Sequence, residues 1–182
     1  MEKEILYEKN GTKIIKNDNG NYNLSFSIEN KNMILAQILN FDLIKLIYDL
    51  NKDICEKINL EKCDENVAVI TILLKNLFED LGLPQKYSFL HITKNEIKDR
   101  IIFDLETISI KKPDWINNDV ELANVKSIKI NCGIISPHKT QINCSIDFDE
   151  DSESPAFVQK MTVMMVNKII NRLKQFIENV AI

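Results

Sequence analysis

Three groups of residues in this 182-residue chain have side chains that could do chemistry if the fold gathered them. Asp147, Asp149, Glu150, Asp151 and Glu153 form an acidic run, and closely spaced carboxylate oxygens are what a hard divalent cation takes as ligands. The central glycine and closing glutamate of an EF-hand loop are missing, so the simpler reading is a solvated loop whose carboxylates favour the positive end of the following helix. Asp104 and Glu106 stand two apart, which on a strand puts both on one face, as a general acid and base would need. Ile102 and Ile108 share that face, and an ordinary polar sheet surface accounts for the pair. His138, flanked by Cys132 and Cys144, combines the imidazole nitrogen and thiolate sulfur that suit zinc. A closed tetrahedral site needs a fourth ligand, and none stands at suitable spacing.

Other reaction types lack their loops. The glycines are Gly11, Gly20, Gly82 and Gly133, too scattered for a phosphate-cradling loop or a dinucleotide fingerprint, and no Ser or Cys sits in a nucleophile elbow. No cofactor is expected, and the reading leans away from an enzyme. What remains are candidate contact residues. Trp115 falls in the loop Lys111-Lys112-Pro113-Asp114-Trp115, where it either anchors a partner or folds back over one end of the sheet. Met161, Met164 and Met165 give the last helix an adaptable surface, read first as core and second as a binding face.

Composition narrows the partners. With 45% hydrophobic and 27% charged residues the chain is globular, and its length suits one domain spanning residues 1–182. A net charge of −4 disfavours direct contact with nucleic acid, which demands a surplus of Lys and Arg. Arg occurs only at positions 100 and 172, and the abundance of Lys, Asn and Ile is the bias of an AT-rich genome. No apolar run is long enough to span a membrane and no signal peptide is recognisable, so a cytoplasmic protein with reduced thiols at Cys55, Cys63, Cys132 and Cys144 is expected.

The elements that would hold these residues follow from periodicity. Tyr22, Leu24, Phe26 and Ile28 alternate with polar neighbours, the mark of a strand with one buried face, and Thr12 to Lys16 with the turn Asn17-Asp18-Asn19-Gly20 completes a hairpin. Leu43, Leu46, Ile47, Leu50, Ile54 and Ile58 recur at helical spacing behind Asp42 as N-cap. A second, buried helix is expected from Asn66 to Leu81, stopped by Gly82 and Pro84. Strands follow at Tyr87 to Thr93, Arg100 to Ile110, Asn124 to Ile135 and Lys139 to Phe148, the last two joined at Ser136-Pro137-His138. Ser154 and Pro155 open a helix that runs nearly to the C-terminus.

The expected architecture is α+β: a curved antiparallel sheet of about five or six strands, a helix pair inserted after the N-terminal hairpin, and a long C-terminal helix packed on one face. With no chemistry assembled, the first functional reading is a non-catalytic protein-binding or assembly protein, holding another protein or a second copy of itself. The alternative comes from element order. Strand hairpin, two helices, antiparallel strands and a long terminal helix are similar to the helix-grip arrangement of the START and Bet v 1-like families. That resemblance implies a small apolar ligand or lipid in a cavity between sheet and C-terminal helix.

Overall fold

The alternation of Tyr22 to Glu29 does build a strand, with Leu24, Phe26 and Ile28 buried and their neighbours turned outward. A computed structural model of the chain describes residues 3–18, 20–109, 111–149 and 156–180. In chain order the elements are β1 (Glu4–Lys9), β2 (Thr12–Lys16), β3 (Tyr22–Glu29), α1 (Asp42–Leu50), β4 (Cys55–Lys62), β5 (Val67–Leu74), β6 (Lys86–Ile97), β7 (Arg100–Thr107), β8 (Glu121–Leu122), β9 (Val125–Ser136), β10 (Lys139–Phe148) and α2 (Ala156–Asn179). Nine strands join in the order β1-β2-β3-β10-β9-β7-β6-β5-β4, every neighbouring pair antiparallel. The two-residue β8 lies parallel to the start of β6, at Lys86 and Tyr87, where β7 no longer reaches.

Sheet and helices are joined at both edges. α2 touches β1 and β3, α1 touches β4, and the two helices touch each other. Nine flat strands would span about 38 Å at ~4.8 Å spacing, whereas two helices side by side cover about 20 Å. The sheet must therefore wrap round the helices for both edges to meet them. Inside lies one apolar cluster that takes Ile14 from β2, Phe26 from β3, Ile70 from β5, Phe103 from β7, Ile142 from β10 and Leu173 from α2.

The structure corrects several expectations. The second helix is absent: Val67 to Leu74 is β5, paired with β4 on one side and β6 on the other. A continuous apolar run fits a strand buried on both faces as well as a buried helix, and Val67, Val69, Ile70, Thr71 and Ile72 are β-branched, which settles it for the strand. Gly82 keeps its left-handed conformation at φ 69°, but closes a single 3-10 turn, Glu79–Leu81. α1 stops at Leu50, so Ile54 lies in a turn and Ile58 in β4. Asp42 is inside the helix's first turn, and its N–H donates to Asn40 Oδ1 at 2.8 Å, so Asn40 does the capping. One further strand, β1, carries only Leu6 and Tyr7 as half-buried residues and shows no clear alternation. Among the described residues the sheet thus has ten strands instead of about five or six, and one helix accompanies the N-terminal strands where a pair was expected.

The long terminal helix is present. Val163, Ile170, Leu173 and Ile177 form its buried stripe. Its C-terminal end is held from just past β3: Asn30, 3% exposed, donates from Nδ2 to the carbonyls of Ile177 and Val180, both left without helical partners at a helix end. Ser154 and Pro155, its expected start, lie outside the described residues, as does Asn19 of the β2–β3 turn. Among the described residues no helix is long and apolar enough to cross a membrane.

Candidate functional site

Between β2, β3, β10 and the N-terminal half of α2 the core does not fill the space. A cleft of about 840 Å3 opens there, within the ~300–1,000 Å3 typical of small-molecule sites. Ladder register explains its floor. Lys16 faces Tyr22, Ile14 faces Leu24, and on the other side of β3 Leu24 faces Cys144 and Tyr22 faces Ile146, so one inward face, two rows deep, runs across three strands. Ile14 and Leu24 are buried, Ile146 half-buried, and Val163 with Val166 closes that face from the helix above. Phe148 meets Tyr22 edge to face, ring centroids 5.5 Å apart at 72°, a geometry that aromatic quadrupoles favour.

The rim is polar. Lys16 Nζ donates to Gln159 Oε1 at 2.9 Å, and the Tyr22 hydroxyl donates to the same oxygen at 3.4 Å. Burial, with the Glu4 carboxylate adding to it, pushes the Tyr22 hydroxyl above its usual value, so it stays a proton donor. Asp147 accepts from Ser127 Oγ at 2.9 Å. Asp18, Lys126 and Asp149 stand exposed at the mouth. The cleft thus has an apolar floor with a few polar groups converging at one end.

The residues singled out from sequence lie elsewhere. Trp115 is half-buried on the outer side of the sheet, beside a second apolar cluster of Leu73, Tyr87, Phe89, Ile116 and Val120, with Lys57 Nζ 4.2 Å from its ring centroid. Lys112 pins that loop by donating to the carbonyls of Asn117, Asn118 and Val120. Met161 and Met164 are 40% and 70% exposed, and Met165 is half-buried. They miss the core because the buried stripe of α2 runs through Val163 and Val166, one helical face away. None of these four residues lines the cleft.

The metal and acid-base candidates also separate. Asp104 pairs with Lys129 across the β7–β9 ladder at 3.2 Å, as a surface ion pair. His138 Nδ1 contacts the Met33 carbonyl at 2.9 Å, while Cys132 faces the core. Burial pushes the Cys132 thiol up to about 12, and burial with Cys132 nearby does the same for Cys144, so neither is a thiolate ready for a metal. Glu150, Asp151 and Glu153 of the acidic run lie outside the described residues. Among the described residues no three potential ligands cluster.

No family model and no curated protein sequence matches the chain. Solved structures do. The human StarD13 (DLC2) lipid transfer and protein localization domain superposes with a TM-score of 0.74 over 98% of this chain and 90% of its own, at 12% identity. The fold is that of the START domains. Human STARD10 aligns at TM-score 0.70 and 11% identity over 95% of this chain and 71% of its own. A STAR-related lipid transfer protein fragment from Xanthomonas axonopodis gives 0.67 at 10% identity, covering 96% and 98%. The START architecture overturns the first functional reading, a protein-binding or self-associating assembly protein: a sheet closed round a terminal helix, with a cleft at their seam, favours the small-molecule alternative. The sequence missed this site because its parts look unremarkable in one dimension. Gln159 and Lys16 belong to no motif, and only the inward phase of Lys16 after Thr12 and Ile14 could have flagged it.

Proposed function

We propose that this chain binds a lipid or similar amphiphile in the cleft between β2, β3, β10 and α2. The observation that carries the reading is the cleft of about 840 Å3 itself, with hydrocarbon on its floor and hydrogen-bonding groups gathered at one end. Its place at the seam of sheet and C-terminal helix, in a fold shared with proteins described as lipid-transfer domains, supports the same conclusion. A hydrocarbon chain laid on Ile14, Leu24, Ile146, Val163 and Val166 gains about 0.8 kcal/mol per buried CH2, enough for a single acyl chain to bind usefully.

The test is saturable uptake of a fluorescent single-chain lipid from donor vesicles by the purified protein. Wild type should take up the probe. Val166→Trp, which drops an indole into the cleft while sparing the four fully buried stripe residues, should abolish uptake without shifting the thermal midpoint. No uptake by wild type, or full uptake by a folded Val166→Trp variant, contradicts the proposal.

A further inference from the structure

The inward row of the cleft carries a lysine where the strand pattern calls for a hydrophobe. Along β2 the inward positions are Thr12, Ile14 and Lys16, the first two 1% exposed and Lys16 half-buried. Lys16 stands opposite Tyr22 in the β2–β3 ladder, and both side chains donate to the single oxygen Oε1 of Gln159. Lys16 makes no ion pair among the described residues. A half-buried ammonium resting on a neutral amide keeps most of its attraction for an anion, because the amide oxygen carries no full charge to offset its own.

We propose that the cleft selects amphiphiles with an anionic head, a carboxylate or a phosphate, seated between Lys16 Nζ and the Tyr22 hydroxyl in place of the Gln159 amide oxygen. This rests on the lipid-binding reading and names the class of ligand within it. The neighbouring acids sharpen the placement. Asp18, Asp147 and Asp149 put carboxylates along the mouth, so an anion is disfavoured beside them and favoured at Lys16. Lys126, the other cation of the rim, is exposed, so its charge is screened by solvent.

The experiment compares hexadecanoate, hexadecyl phosphate and hexadecanoate methyl ester as competitors for the bound fluorescent lipid, on wild type, Lys16→Met and Lys16→Arg. Wild type should bind at least one anion about tenfold or more tighter than the neutral ester, the scale of a charged hydrogen bond. The tighter of the two anions tells carboxylate from phosphate. Lys16→Met should level anion and ester, and Lys16→Arg should keep the preference. Equal wild-type affinity for all three, or a preference that survives in Lys16→Met, overturns the head assignment and leaves lipid binding standing. Failure of all three to bind overturns both.

Discussion

Asp53 joins the two helices through one carboxylate. It accepts from Nη1 and Nη2 of Arg172 and from Lys168 Nζ at 2.6 Å, while Arg172 also donates to Asn51 Oδ1 and the Leu50 carbonyl at the end of α1. Hydrogen bonds from Arg172, then from Lys168, hold the Asp53 carboxyl well below the usual carboxylate range. Its folded pKa is depressed below the ~3.9 of an unfolded aspartate, so its stabilisation is complete above that value and is lost as pH falls through and beneath it. With the Arg172 and Asp53 side chains 32% and 46% exposed, solvent screens the pair and the effect is modest. Urea midpoints measured between about pH 6 and about pH 3 should therefore fall slightly further for wild type than for Asp53→Asn. Parallel falls would show that the joint adds nothing. Such side-chain meetings are hidden from a single sequence: Arg172 and Asp53 are 119 positions apart, as Lys16 and Gln159 are 143 apart.

Elements were legible where one face is wet and illegible where both are dry. β3, β9 and β10 alternate in sequence because their outer faces meet solvent, and their observed bounds lie within a residue or so of the expected ones. β5 is flanked by strands on both sides, and its outer face is covered at Thr71 and Leu73, so no polar face interrupts Val67 to Leu74 and the period vanishes. The error at β5 also lengthened α1, since without β4 to pair with, Ile54 and Ile58 extend the helical spacing. β5's role as an interior strand has a measurable consequence. Ile70, 1% exposed inside the main cluster, should cost about 2–5 kcal/mol when cut to Ala. Ile5, 53% exposed on edge strand β1, should cost under about 0.5 kcal/mol. Chemical denaturation of the two variants reads both, and similar losses would contradict the assignment of β5 to the core.

At the scale of the whole molecule, element order carried the fold class, the grip on a terminal helix and, through the helix-grip resemblance, a cavity at their seam, whereas the residues lining the cleft were not legible. It exists because the sheet wraps farther than α2 can fill: the C-terminal half of the helix is clasped by Asn30, Asp53 and the Lys174 contact to the Asn10 carbonyl. The N-terminal half meets the strands chiefly through Gln159, Val163 and Val166, over the open floor. Emptiness of this kind comes from the mismatch between a ten-stranded sheet and a single long helix, and no local pattern encodes it. Occupation of that seam by a ligand is the central expectation. Methyl NMR of the protein labelled at Ile, Leu and Val, titrated with hexadecanoate, tests this most directly. The expected result is saturable shifts at Ile14, Leu24, Ile146, Val163 and Val166, with the outer-face methyls of Leu73, Ile116 and Val120 unmoved. Shifts confined to that outer cluster, or none at all, would contradict it.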